Sequence, residues 1–202
     1  MIRPMAIGFL WWFVWPVCAA DAAGTKAPDG LPVYLEAGKT VKDYRNVALN
    51  PNAGVDEKAT SYPHATSNSE YNKKEFAARC AIDGRTEKPQ DVHGCGSWGP
   101  HIRNDLWWNL DFGRPVEIDK VVIYVRAAFG HDNYWNSGTI EFSDGSKLDF
   151  KLRKTADPQT IALERKKTVT SLKITNLKQE PPEKWCAFCE VQVWGADAGS
   201  AR

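Results

Sequence analysis

The sequence predicts an all-β fold, an antiparallel β-sandwich built from short strands. In the stretch 105–113, Trp108, Leu110 and Phe112 alternate with the residues between them, which is the period-two pattern of a strand with one buried face. The stretch 121–126 is a nearly continuous apolar run that ends in Arg126, as expected of a strand buried on both faces. Further short strand patterns recur at regular spacing with little helix between them, which favours a sandwich.

The other elements follow in chain order. A polar segment at 23–45 is predicted to be a linker with a short strand at 31–35, and the folded domain begins at residue 46. One helical turn is predicted at 76–82, where the Asp83–Gly84 pair ends it. The predicted strands of the domain are 59–62, 105–113, 121–126, 139–142, 147–152, 160–163, 170–175 and 190–194.

The connections between these strands carry their own signals. The sequence predicts a turn at 113–115, and Ser-Asp-Gly at 143–145 predicts a hairpin. Residues 63–72 are a polar loop, and 84–104 and 127–138 are longer loops without periodicity. Loops of that length in a compact domain are usually functional or tied down by a cross-link or an ion.

The N-terminus is predicted to be a cleaved signal peptide at 1–22, because Arg3 precedes an apolar run at 6–20 with small residues at its end. We therefore expect a secreted, periplasmic or cell-surface protein, with ordinary secretion favoured over lipidation at Cys18. The 202 residues suit one domain plus this leader, and a net charge of +1 implies no broad field for nucleic acid or an anionic membrane.

Four cysteines remain after the leader: Cys80, Cys95, Cys186 and Cys189. An even count in an exported protein predicts two disulfides, with three connectivities open. The Cys-x-x-Cys spacing at 186–189 has no second cysteine pair or histidine pair to complete a zinc site, so structural disulfides are favoured over a metal or redox role.

The sequence contains no pattern that predicts catalysis. It has no nucleophile-elbow, zinc-protease or phosphate-cradling motif. His131 and Asp132 are neighbours on a loop, and such neighbours seldom converge on one substrate atom. We therefore predict a binding protein, not an enzyme.

Six pieces of the chain, taken in order and spacing, resemble the discoidin domain, the coagulation factor type C module of the galactose-binding-like jelly rolls. The pieces are 46–49, 81–84, 107–113, 121–126, 140–145 and 189–195. The resemblance is nearest to bacterial carbohydrate-binding modules and fucose-binding lectins. It covers 46–195, implies an eight-stranded jelly roll, and leaves 196–202 as a disordered tail.

The resemblance also implies a structural calcium ion that ties the loop after residue 84 to the last strand. Calcium takes six to eight oxygen ligands, which irregular backbone can supply. The implied ligands are the carboxylates of Asp83 and Glu190 and the main-chain carbonyls of Cys80, Arg85, Cys189 and one residue within 94–97. The residues alone would also allow Asp83 to begin a turn and Glu190 to be an exposed strand residue. Arg85 stands where the resemblance more often has asparagine.

The same resemblance implies a disulfide between Cys95 and Cys189, which leaves Cys80 with Cys186. The pairing of Cys80 with Cys95 and of Cys186 with Cys189 stays open as an alternative.

A sugar site needs aromatic rings for the C–H face of the sugar and planar donors and acceptors for its hydroxyl groups. The two loops that flank the strands at 105–126 hold both kinds of residue. The candidates are Trp98, His101, Arg126, His131, Asp132, Tyr134 and Trp135. The resemblance makes Arg126 the first choice. His131 and Asp132 could instead brace the loop, and Trp98, Trp135 and Trp185 could each be core residues beneath it.

These observations predict a secreted, non-catalytic, lectin-like domain with a structural calcium and a glycan or glycoconjugate partner. The alternatives are a discoidin-type protein or cell-surface adhesion module and a lipid-binding module. The lipid alternative is disfavoured because Phe129 alone is a poor membrane-inserting residue.

Overall fold

The computed structural model describes residues 43–55, 60–86, 95–127, 130–179 and 184–199. The predicted signal peptide, nearly all of the predicted linker and Phe129 lie outside these residues. The strands are β1 Arg45–Asn46, β2 His64–Ser67, β3 Trp108–Val125, β4 Ser137–Phe142, β5 Lys147–Lys151, β6 Gln159–Lys178 and β7 Phe188–Asp197, with short 3₁₀ turns at Pro51–Gly54 and Ala78–Ala81. Within the described part of the chain, no helix is long and apolar enough to cross a membrane.

All strand pairings are antiparallel, in the order β1-β7-β3-β6-β4-β5, with β2 also paired to β3. This confirms the predicted all-β class. The two predicted strands around residue 113 are one strand, β3, so the turn predicted at 113–115 is wrong. Gly113 has a φ of +68° and the register shifts between Asp111 and Val116, so the strand bends without leaving the sheet. A side chain at Gly113 would collide with the Tyr62 ring.

The bend in β3 divides the sheet into two layers. Before the bend, β3 pairs with β2 and with the end of β6, which also pairs with β4. After it, β3 pairs with β7 and with the start of β6. The strands predicted at 160–163 and 170–175 are therefore the two parts of β6. One buried cluster with residues from both layers forms the core, as in a sandwich.

The local patterns were confirmed where one strand face is buried. Trp108, Leu110 and Phe112 are fully buried. The hairpin of β4 and β5 pairs Ile140 with Leu148, as its Ser-Asp-Gly turn predicted. The strand predicted at 59–62 is wrong: no strand covers 60–62, and β2 lies in the segment predicted to be a loop, paired with Trp108–Asp111.

The end of the domain also differs from the prediction. β7 continues to Asp197, and the amide of Ala198 donates a hydrogen bond to the carbonyl of Pro115 at 3.0 Å. The first residues of the predicted tail, 196 and 197, are therefore held in the sheet. They pair with β3 next to its bend, where Glu117 lies opposite Ala196.

The bend in β3 also determines where loops meet. The strand runs along one layer, turns the corner at 113–115 and returns along the other, so the loops at its two ends reach the same end of the sandwich. Gly99, which precedes β3, and Arg126, which follows it, accordingly line one cleft.

Candidate functional site

A cleft of about 250 Å³ lies at this end of the sandwich. Its walls include Tyr71, Phe76, Arg126, His131, Asp132 and Trp185. Backbone hydrogen bonds hold the contributing loops together: Tyr71 donates to Gly99 at 2.8 Å, Arg126 to Ala187 at 2.9 Å, and Asn133 to Trp185 at 2.9 Å. The cleft is therefore built from segments far apart in sequence on a framework of main-chain contacts.

Arg126, the first choice from the sequence, lines the cleft directly after β3. Its Nε lies 3.2 Å from Oδ1 of Asp132, and its guanidinium carbon lies 5.8 Å from the centre of the Phe76 ring. The side chain is 21 % exposed. A guanidinium held by a carboxylate and an aromatic ring is oriented before a ligand arrives, which lowers the entropic cost of binding.

Asp132 and His131 also line the cleft, so the structure brings three of the predicted binding residues together. The Asp132 side chain is only 5 % exposed, whereas that of His131 is mostly exposed and has its Nε2 3.5 Å from Oδ1 of Asp132. Lys154 donates a hydrogen bond to the carbonyl of Asp132 at 2.5 Å. Asp132 therefore braces its loop and Arg126, and it also presents acceptor oxygens at the cleft.

Two exposed aromatic rings form one rim of the cleft. Sequence reasoning missed Tyr71 and favoured a core position for Trp185, which is wrong. Tyr71 is 50 % exposed and Trp185 is 44 % exposed, and their ring centres lie 4.8 Å apart in an edge-to-face arrangement. Each is an aromatic residue within a hydrophilic loop, which is the signal that could have found them. Such rings offer flat apolar surfaces beside the polar groups of Arg126 and Asp132.

The two tryptophans predicted to contact a ligand lie in the core instead. Trp98 and Trp135 are buried and stack on each other with ring centres 5.2 Å apart. The indole N–H of Trp98 donates to the carbonyl of Ser69 at 3.0 Å, which satisfies its polar atom inside the core. They support the loops from beneath.

The remaining two predicted binding residues lie outside the cleft walls. Tyr134 is partly buried and packs against the core. His101 is exposed, with its ring 5.5 Å from that of Tyr71, so it neighbours the aromatic rim without lining the cleft.

Cys186 lies in the cleft wall as a buried free thiol. Burial, and then the negative charge of Asp132, raises the pKa of this thiol to about 12. A thiol with a raised pKa stays protonated at neutral pH, and the thiolate is the nucleophilic form. Cys186 is therefore a packing residue that donates to Oε1 of Gln179, at 2.5 Å.

The disulfide pairing implied by the resemblance is wrong. Cys80 is bonded to Cys95, with their Cα atoms 5.1 Å apart, and Cys186 and Cys189 are thiols that are not joined in a disulfide. The alternative pairing is correct only for its first bond. Cys80 lies in the 3₁₀ turn at Ala78–Ala81 and meets the loop cysteine directly, whereas Cys189 is the second residue of β7.

Asp83 and Glu190 are the two carboxylates predicted to bind calcium, and the segments that carry them are in contact. The amide of Gly84 donates to Glu190 at 3.2 Å from Oε1 and 3.3 Å from Oε2. Oδ1 of Asp83 accepts the amide of Arg85 at 3.0 Å. Glu190 is buried, so it is not the exposed strand residue that the alternative interpretation allowed. Asp83 is also buried, and its hydrogen bond to the amide two residues later begins a turn, as that interpretation allowed.

The side chain of Arg85 occupies the space beside Asp83. Its Nε lies 3.2 Å from Oδ2 of Asp83, and its terminal nitrogen Nη2 donates to the carbonyl of Cys95 at 2.7 Å. The guanidinium thus joins the loop at 83–85 to the loop that begins at Cys95.

Comparison with known families agrees with this architecture. The family described as the F5/8 type C domain matches residues 64–191, which is more than half of the chain. This protein belongs to the F5/8 type C domain family. No curated protein sequence matches the chain.

Solved structures similar to this F5/8 type C domain come from bacteria and a fish. The family 32 carbohydrate-binding module of Clostridium perfringens NanJ, solved with galactose, has 14% identity and a TM-score of 0.51, over 65% of this chain and 92% of that one. A fucolectin from striped bass (Morone saxatilis) serum has 18% identity and a TM-score of 0.60, over 79% of this chain and 52% of that one. A fucose-binding module of Streptococcus pneumoniae has 18% identity and a TM-score of 0.54, over 74% of this chain and 96% of that one. At these identities, the likeness shows the shared fold.

The loop of this F5/8 type C domain has suitable ligand types for calcium, but an arginine side chain already contacts two of the implied ligands. A guanidinium already lies against Asp83 and the carbonyl of Cys95, two of the implied ligand sites. No cluster of three or more histidine, cysteine or acidic side chains that could hold a metal occurs among the described residues. Gly94, within the range implied for one carbonyl ligand, lies outside them. Calcium binding stays a prediction.

Proposed function

We propose that this protein is a non-catalytic carbohydrate-binding module that holds a sugar in the cleft described above. The observation that carries the proposal is the placement of the Arg126–Asp132 pair beside two exposed aromatic rings in one concave site. Few other surfaces offer both a flat apolar face and planar donors and acceptors within the reach of one sugar ring.

The two kinds of group match the two kinds of surface on a pyranose. The C–H face of the ring would pack on Trp185 and Tyr71, since both rings are half exposed at the rim. Neighbouring hydroxyl groups would accept hydrogen bonds from the guanidinium of Arg126 and donate to the carboxylate of Asp132. The volume of about 250 Å³ suits one or two sugar units at the end of a glycan.

Two of the similar structures contain bound sugars, which supports this proposal. The NanJ module was solved with galactose, and the lectin domain of lectinolysin, at 17% identity and a TM-score of 0.54, was solved with Lewis b. The protonated state of Cys186 supports a binding role over nucleophilic catalysis.

We also propose that the protein works outside the cytoplasm, as the predicted signal peptide suggests. The Cys80–Cys95 disulfide supports this, because disulfides persist in oxidising compartments. A single small site of this kind binds with a Kd of about 1 mM, or about 4 kcal/mol, so useful avidity requires several copies on one surface.

Titration calorimetry with galactose, fucose and N-acetylgalactosamine, preceded by a glycan array, tests the proposal. Trp185→Ala should weaken binding of the preferred sugar about tenfold, equivalent to ~1.4 kcal/mol. Trp107→Ala is the matched control, because Trp107 packs under Lys173, 4.4 Å from its ring centre, and does not line the cleft. The control should bind within about twofold of the unmodified protein.

A vesicle sedimentation assay separates the alternatives. Tyr71, Trp185 and Ile102 are exposed apolar residues on the described loops, and a lipid-binding module would insert such residues into a membrane. A protein that gives no signal on the array and sediments with phosphatidylserine vesicles would refute carbohydrate binding.

A further inference from the structure

Two buried carboxylates lie on segments that touch each other, the loop at 82–86 and β7. The Glu190 side chain is fully buried, and that of Asp83 is only 1 % exposed. A buried carboxylate is costly unless hydrogen bonds and a positive charge compensate it. A neighbouring cation, whether a metal ion or a side chain of the protein, can supply that positive charge.

The backbone supplies part of the compensation for Glu190. The amide of Gly84 points at both oxygens of this carboxylate. Gly84 has a φ of +85°, a conformation that glycine adopts at little cost, and a side chain there would also crowd Leu49. An amide is a dipole and not a charge, so it solvates the Glu190 carboxylate without neutralising it.

Arg85 supplies the positive charge. Its Nε lies 3.2 Å from Oδ2 of Asp83, and its Nη2 donates to the carbonyl of Cys95 at 2.7 Å. The side chain is 46 % exposed, so it covers the buried carboxylate from the solvent side. The planar guanidinium has five N–H donors, which lets one residue hold a carboxylate and a carbonyl together.

We propose that Arg85 is a built-in cation that takes the place of a calcium ion in this loop. A calcium ion would organise the loop by collecting carboxylate and carbonyl oxygens. The guanidinium collects the same two kinds of oxygen, from Asp83 and Cys95. A calcium ion bound to these oxygens would have to displace the guanidinium, because two cations at van der Waals distance repel each other. The folded loop consequently does not depend on calcium.

A second arginine supports this interpretation of the loop. The guanidinium of Arg79 donates to the carbonyls of Ala53, Lys73 and Lys74 and contacts the sulfur of Cys95 at 2.9 Å. Main-chain carbonyls around the Cys80–Cys95 disulfide therefore accept hydrogen bonds from two arginine side chains, Arg79 and Arg85. The loop is organised by internal cations at two points.

Thermal unfolding of the purified protein, with 5 mM calcium or with a chelator, tests the proposal. We expect the two melting temperatures of the unmodified protein to agree within about 1 °C. Arg85→Asn removes the charge and leaves an amide oxygen that can ligate a metal. In chelator, this variant should melt several degrees lower, because Asp83 is then buried without its cation. Calcium should restore about 5–10 °C, the shift expected when the ion is present at a hundred times its Kd.

Arg45→Asn is the matched control. Arg45 also pairs with an aspartate, Asp197, at 3.0 Å, but at the far edge of the sheet, so this variant should not respond to calcium. Equilibrium dialysis with radioactive calcium on the unmodified protein decides the matter even if Arg85→Asn does not fold. Binding with a Kd below 1 mM, or a calcium-dependent rise in the melting temperature of the unmodified protein, would overturn the proposal.

The unfolding and dialysis measurements do not involve sugar. A failure of carbohydrate binding would therefore leave this test intact.

Discussion

Two arginine–aspartate pairs in this protein share one geometry but have different surroundings. Arg126 pairs with Asp132 at the cleft, and Arg85 pairs with Asp83 in the loop that meets β7. In each pair the Nε–Oδ distance is 3.2 Å and the aspartate is almost fully buried, at 5 % and 1 % exposure. The Arg85 guanidinium closes on the carbonyl of Cys95, whereas Arg126 lines a cleft edged by exposed aromatic rings.

The difference shows that the ion pair itself does not define a binding site. What distinguishes Arg126 is the concave surface and the half-exposed rings of Tyr71 and Trp185 around it. Arg85 has a comparable aspartate, but no exposed aromatic ring is found beside it in the described part of the chain, so its donors serve the fold. An arginine next to a buried aspartate is therefore a functional candidate only when its surroundings leave room for a ligand.

The largest effect should come from removing the charge at the cleft. Arg126→Met keeps the unbranched apolar part of the side chain and removes its donors, so we expect sugar affinity to fall about 100-fold or more. Arg85→Met should bind the same sugar within about twofold, because Arg85 lies outside the cleft. Titration calorimetry measures both variants. Equal losses of affinity would contradict the proposal that Arg126, and not Arg85, contacts the sugar.

A smaller effect concerns stability. Arg126→Met leaves Asp132 buried without its guanidinium, which should cost about 1–3 kcal/mol and lower the melting temperature by roughly 3–10 °C. Adding Asp132→Asn removes the carboxylate charge that the guanidinium had balanced and should recover at least half of that loss, without recovering sugar binding. Differential scanning calorimetry checks the melting temperatures. A double variant as unstable as the single variant would show that Asp132 is not buried as a charged partner of Arg126.

The smallest effect should come from a third, exposed aspartate, Asp197, which forms ion pairs with Arg114 and Arg45. Hydrogen bonds from Arg114, and then from Arg45, hold the pKa of Asp197 below its ordinary value of 3.8. Because the folded-state pKa is the lower one, the ionised carboxylate stabilises the fold above about pH 4, and this contribution is lost as the pH falls further. Asp197→Asn should therefore melt within about 2 °C below the unmodified protein at pH 7. The gap should narrow as the pH falls below about 4, and it should also shrink at high salt; a gap that widens in acid would contradict this account.

Part of the candidate site could be found without coordinates. Arg126, His131 and Asp132 lie just after a strongly apolar strand, and a loop at the end of a buried strand often carries function. Tyr71 and Trp185 could not be joined to them in the same way. They come from loops 114 positions apart, and only the path of the chain puts their rings 4.8 Å from each other.

The sequence by itself determined the fold class, the buried face of β3 and the β4–β5 hairpin. Each of these depends on residues close in the chain: the period-two alternation of Trp108, Leu110 and Phe112, and the turn at 143–145. The resemblance carried by its short pieces also led to the correct family.

Only the tertiary structure decided which distant residues became partners. The bend at Gly113, the position of β2, the Cys80–Cys95 bond and the burial of Trp98 depend on how two layers pack against each other. The same holds for Arg85, whose side chain meets Cys95 across the loop. Local pattern specifies which face of a strand avoids water. Which of several cysteines, aromatic rings or cations becomes the partner of a given residue depends on long-range packing. A short window of sequence does not contain that information.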